Sequence, residues 1–211
     1  QRHADEKETI LKDLHDGIGG MVSNIHLLAE SALTSSSPAD SRRALATVSA
    51  LSKEGLFELS SFLQSLDASE ATLGALIAEI HHMGSTMLGP HHISYSAENV
   101  GADGDARPGT LFYLNVLRIC REAVTNVIKH SMARSVTVRT SLVDSIFTLT
   151  VEDDGVGLTE KRSRGRGMKN METRARDIGG ILTISSGHGV CVRLQVPVFS
   201  LEPAAPLVSG G

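Results

Sequence analysis

Apolar positions follow two different rhythms along this 211-residue chain, and the change between them divides it. From Ile10 to Ala32 the spacing is heptad. Leu11, Ile18, Ile25 and Ala32 fill one seam position, and Leu14, Met21 and Leu28 fill the other. That repeat predicts a helix packed against partner helices. Thr34–Pro38 is Ser-rich and ends in proline, a turn signal. A second helical pattern follows, with Leu45, Val48, Leu56, Leu59, Leu63 and Leu66 on one side. A two-helix hairpin cannot bury a seam of that size alone, and dimerisation into a four-helix bundle would do so. The competing expectation is a monomeric hairpin packed on the rest of the chain.

Past Asp67 helical and alternating patterns interleave. Helices are predicted over Leu73–Leu88, Thr110–His130 and Met168–Ile178, the last closed by Gly179-Gly180. Strands are predicted over Ile93–Ala97, Ser135–Val143, Ile146–Glu152, Ile181–Ser185 and Val190–Val198, with a tight turn at Asp144-Ser145. Gly101–Pro108 and Gly157–Gly167 read as loops. The fold class expected is an α helical hairpin, residues 1–67, followed by an α+β domain, residues 70–199, with helices covering one face of a mixed sheet. Residues 200–211, with two prolines and a terminal Gly-Gly, read as a disordered tail.

Composition narrows the function classes. A net charge of −4 argues against a nucleic-acid binder, and the absence of Trp with only two Tyr removes a base-stacking platform. Cys120 and Cys191 are too far apart in sequence for a disulfide framework or metal spacing, which fits a cytoplasmic location. No apolar run reaches the length of roughly 18 residues a membrane helix needs. The chain opens at Gln1, already inside a helical pattern, and reads as a fragment with room upstream for a sensor and a membrane anchor.

Three constellations carry chemistry. His15 falls one position after Leu14, at the flank of the seam, where an imidazole reaches solvent, and Asp16 follows directly. A carboxylate on one ring N–H fixes the tautomer and raises the basicity of the other nitrogen, which suits phosphoryl acceptance. Gly17, Gly19 and Gly20 come next, each costing on the order of 1 kcal/mol in a helix, so a bend or a close approach by another domain is expected there.

On the long helix Glu122, Asn126 and Lys129 share one face, with His130 beside them. Asn and Glu supply hard oxygens of the kind Mg²⁺ takes, and Lys meets phosphate. Asp153-x-Gly155-x-Gly157 ends a strand, where a carboxylate can accept from an exocyclic amine such as that of adenine. Gly165-Arg166-Gly167 precedes a helix whose free N–H groups suit phosphate. No Gly-x-x-x-x-Gly-Lys-Ser/Thr loop is present.

Taken together, Leu14-His15-Asp16, Glu122 to His130, Asp153 to Gly157 and Gly165 to Met168 resemble the ordered boxes of two-component sensor histidine kinases. The likeness is to the subfamily with a His-Asp phosphoacceptor box and regulators carrying helix-turn-helix output domains (NarL/LuxR type). The resemblance implies a Bergerat-type ATP-binding sandwich, a dimeric hairpin, and autophosphorylation of His15 from ATP with Mg²⁺. It implies that Asp16 orients or deprotonates His15, that Asn126 holds Mg²⁺ with Glu122 as a supporting carboxylate, and that Asp153 reads adenine. The implied partners are a second copy of the chain and the receiver domain of a response regulator.

Two positions depart from the family pattern. Gly20 stands where a Gln or His often places water for regulator dephosphorylation, which predicts weak phosphatase activity or another group in that role. Val190 stands where Thr usually follows glycine, which predicts modest nucleotide affinity. Two other functions are compatible with the fold: a non-catalytic dimeric scaffold, and another ATPase of the gyrase or chaperone sort. The hairpin bearing His-Asp distinguishes this chain from the second.

Overall fold

A computed structural model describes residues 2–67, 72–101, 105–158 and 166–198, with the backbone alone for residues 2–17, 54, 58, 61–67 and 166. The chain divides into two compact units, Gln1–Asp67 and Ala68–Gly211.

The first unit is a hairpin of α1 (Arg2–Thr34) and α2 (Pro38–Asp67). Pro38 opens α2, where its missing N–H costs nothing, and the Ser37 hydroxyl accepts from the Asp40 N–H at 3.3 Å. The Ser41 hydroxyl donates to the Ala32 carbonyl at 2.9 Å, tying the second helix to the end of the first. α1 runs as one continuous helix through Gly17, Gly19 and Gly20. A Cβ at Gly19 or Gly20 would meet open space. The apolar positions expected on one side of α2 separate. Val48 is half-buried, whereas Leu45, Leu56 and Leu59 are exposed. Side chains of Leu63 and Leu66 lie outside the described residues.

The second unit is an α+β sandwich. Helix α3 (Leu73–Leu88) is capped by the Thr72 hydroxyl, which accepts from the Ala75 N–H at 3.2 Å, and ends in a 3₁₀ turn at Gly89–His91. Strand β1 (Ser94–Val100), helix α4 (Thr110–Asn126), strands β2 (Ser135–Val143) and β3 (Ile146–Asp153), helix α5 (Arg166–Asp177), and strands β4 (Ile181–Gly187) and β5 (Gly189–Pro197) follow. The sheet order is β1-β2-β3-β5-β4, with β1 parallel to β2 and the other pairs antiparallel. Asp144 and Ser145 both take positive φ, 51° and 59°, as a two-residue hairpin turn requires.

Register aligns Val138, Val151 and Val192 across the sheet, and next to them Thr140, Leu149 and Leu194, all buried on one face. Alternate residues of the same strands face outward, where Arg139 joins Glu98 at 2.9 Å and Glu152 at 2.7 Å. Helix α4 is the centre of the core. Leu114, Val116, Ile119, Cys120 and Val124 are fully enclosed, and Phe112 meets Phe147 edge to face at 5.3 Å. Burial pushes the Cys120 thiol up to about 12, so it stays protonated and unreactive.

The predicted helix over Thr110–His130 is α-helical only to Asn126. It widens into a π turn over Val127–Ser131, a feature that periodicity does not register.

Candidate nucleotide-binding site

A cleft of about 390 Å³ opens between the C-terminal half of α4, the end of β3, the start of β5 and the first turns of α5. Glu122 and Asn126 line it from α4, and Lys129 and His130 from the π turn that follows. Asp153, Gly157 and Gly167 complete the set of sequence-predicted residues that reach it. These come from three separate segments, so the fold, and not local sequence, brings them together.

Asp153 occupies the inner corner and is 5% exposed. It accepts from the Gly155 N–H at 2.8 Å through Oδ1 and from the Val190 N–H at 3.3 Å through Oδ2. Burial pushes its carboxyl above the ordinary value, the neighbouring Asp154 and Glu152 push the same way, and the two N–H groups offset part of that rise. Its oxygens are therefore fixed in direction, and a buried acceptor gains from a ligand N–H donor.

Two glycines let the walls close. A Cβ at Gly189 would run into the Asp153 carbonyl, so the start of β5 can lie against the backbone at the end of β3 only without a side chain there. A Cβ at Gly167 would overlap the Glu122 carboxylate, so the start of α5 lies directly against that group.

Gly155 supplies its N–H to Asp153 but does not line the cleft. Gly165 lies outside the described residues, and Arg166 opens α5 with its side chain likewise outside them. His15 and Asp16 sit on α1, in the first unit, and their side chains are also outside the described residues.

Sequence reasoning missed the apolar wall. Val151, Met168, Met171, Val190 and Val192 also line the cleft. Met171 and Val192 read as core by periodicity, and only the packing shows that their outer surfaces face an opening. Ser186 was also missed. Its hydroxyl accepts from the Leu158 N–H at 2.8 Å and donates to the Gly189 carbonyl at 3.4 Å, fastening the segment after β3 to the β4–β5 turn.

The comparisons with known proteins agree with this architecture. Residues 113–200 match the family described as Histidine kinase-, DNA gyrase B-, and HSP90-like ATPase. The sensor histidine kinases YvfT and DesK of Bacillus subtilis are each 28% identical, over 92% of this chain and 51% of their own length. The signal transduction histidine-protein kinase/phosphatase UhpB of Salmonella typhimurium is 36% identical over 40% of this chain and 17% of its own. The histidine kinase domain of the Erythrobacter litoralis EL346 blue-light activated kinase superposes with a TM-score of 0.55 at 22% identity, covering 94% of this chain and 95% of that one. The chain spans about half the length of YvfT and DesK.

The fold and cleft are thus those of an ATP-binding domain of the kinase, gyrase and chaperone class. Within that class the chain is similar to sensor histidine kinases, matching YvfT and DesK over 92% of its length at 28% identity.

Proposed function

We propose that this chain is the kinase core of a two-component sensor, which takes the γ-phosphoryl group of ATP onto His15 and passes it to an aspartate of a response regulator. The observation that carries the reading is one cleft lined together by Asp153, Glu122, Asn126, Lys129 and His130 in an ATPase fold. Asp153 accepts from the adenine amine, the apolar wall of Val190, Val192 and Met171 takes the base, and Lys129 and His130 meet the phosphates. Glu122 and Asn126, four residues apart on α4 and both in the cleft, supply the hard oxygens that Mg²⁺ takes. Bound there, the ion would offset triphosphate charge.

In the transfer, a neutral imidazole nitrogen of His15 attacks the γ-phosphorus, the bond to the bridging oxygen breaks, and ADP leaves with the electron pair. Asp16 takes up the proton on the other ring nitrogen. The hairpin acts as a dimer, in which exposed Leu45, Leu56 and Leu59 are covered by a second copy to make a four-helix bundle. The partner regulator is of the NarL/LuxR type, which accompanies the His-Asp box. The parent protein carries an upstream sensor region with a membrane anchor.

Incubation with γ-labelled ATP and Mg²⁺, followed by addition of a receiver domain, tests the proposal. Acid-labile, alkali-stable label on the chain that then moves to the receiver domain is the expected result. ATP binding without any label would instead identify a non-catalytic scaffold.

A further inference from the structure

Two aspartates adjoin at the end of β3, and only the first faces the cleft. Asp154 is exposed, yet its carboxylate is engaged. Oδ1 accepts from the Arg134 N–H at 2.7 Å and from the Ser135 N–H at 2.9 Å. These two groups lie where the chain, having left the π turn, enters β2. Hydrogen bonds to an ionised acceptor are among the stronger ones a backbone can make.

The surrounding contacts show what that pair of bonds holds. The segment 131–135 reverses direction through Met132, which takes a left-handed φ of 54°. It is fastened to 153–156 by the Asp154 N–H to the Ser135 carbonyl at 3.3 Å and the Val156 N–H to the Ser131 carbonyl at 2.8 Å. Inside the reversal the Ala133 N–H bonds the Ser131 hydroxyl at 3.0 Å. An irregular reversal has no regular ladder, so these backbone bonds and the acceptors on Ser131 and Asp154 together fix its position. Lys129 and His130 precede it directly, and Asp153 precedes Asp154. The Asp154 carboxylate therefore adds two bonds to the backbone pair that sets the spacing between the two walls of the cleft.

We propose that Asp154 is a positioning residue: it touches no nucleotide, but holds the wall bearing Lys129 and His130 in register with Asp153. The inference rests on the ATP-binding reading above. It separates Asp154 from a simple strand cap by a property of ligands. A nucleoside touches only the Asp153 side, whereas a nucleoside triphosphate spans both walls. Loss of the register therefore weakens ATP and spares adenosine, while loss of a mere cap lowers the melting temperature and leaves the ratio of the two affinities unchanged.

Calorimetric titration of the whole chain with Mg-ATP and with adenosine decides it. Asp154→Ala is expected to weaken ATP about tenfold, the effect of losing an ionised acceptor for two N–H groups, and adenosine less than about twofold. Asp154→Asn is expected to stay within about threefold of the wild type for ATP, because its amide oxygen accepts from the same two N–H groups. Asp153→Ala should lose both ligands. Where Asp154→Ala does not fold by circular dichroism, Asp154→Val, which also lacks a side-chain acceptor, takes its place with the same expected split. Unchanged ATP affinity, or equal loss of ATP and adenosine, overturns the inference and leaves the ATP reading standing. A wild-type chain that binds neither ligand overturns both.

Discussion

The two units solve the burial problem in opposite ways. The sandwich encloses Leu76, Ile80, Leu114, Ile119, Phe147 and Leu194 completely, and its helices cover one face of the sheet. In the hairpin, Ala44 alone among the described residues is buried, while Leu27, Leu33, Leu45 and Leu56 are each more than half exposed. One unit closes its own core, and the other presents an apolar surface that calls for a partner. This division suits the proposed function, in which the sandwich holds the nucleotide and the helical pair carries the acceptor. Rigidity fixes a small ligand, and an exchangeable helical surface allows assembly.

The contrast can be broken from either side. Phe147→Ala removes a fully buried ring and its partner contact with Phe112, and should cost about 3–5 kcal/mol of sandwich stability. Chemical denaturation monitored in the sheet would show it, and a loss below about 1 kcal/mol would mean the core is not closed as described. Leu56→Lys places a charge on the exposed hairpin stripe. It should leave the sandwich melting unchanged and raise the dimer dissociation constant about tenfold or more in sedimentation equilibrium. A wild-type chain that sediments as a monomer would contradict the covered stripe itself.

Smaller effects sharpen the site. Val190→Thr adds a hydroxyl to the cleft wall beside Asp153, and should tighten ATP about two- to fivefold. The backbone N–H of residue 190 already reaches the carboxylate, which is why the gain is modest. The two adjacent aspartates should titrate in opposite directions from the ordinary value of 3.8. Asp153, raised chiefly by burial, favours the fold when protonated, and that contribution is lost as pH rises past the ordinary carboxylate value. Asp154, lowered chiefly by its bond with the Ser135 backbone, favours the fold when ionised, and that contribution is lost as pH falls below it. Carboxyl carbon resonances followed through an acid titration would show the split, and coincident midpoints would contradict it.

Much of the fold was legible because periodicity reports burial. The Leu73–Leu88 helix and the Ser135–Val143 strand fall where alternation and helical spacing place them. The site residues of α4 could be read for the same reason, since Glu122 and Asn126 lie four apart on one helical face. The π turn at Val127–Ser131 could not, because one extra residue per turn leaves no mark in a pattern of a few polar positions. Nor could the different duties of Asp153 and Asp154. Identical side chains one residue apart point to opposite sides of a strand, and which side holds the cleft is settled by α4 and α5, far away in sequence. The continuity of α1 through three glycines escaped for a related reason: propensity prices each residue alone, whereas a long helix is set by the whole run.

The most direct test of the division between acceptor and nucleotide site compares His15→Gln with Asp153→Asn in γ-labelled ATP and Mg²⁺, with ATP affinity measured on the same preparations. The expected outcome is that His15→Gln binds ATP as the wild type does and takes no label, whereas Asp153→Asn loses both binding and label. Acid-labile label persisting on His15→Gln would contradict the assignment of the acceptor, and undiminished ATP binding by Asp153→Asn would contradict the cleft.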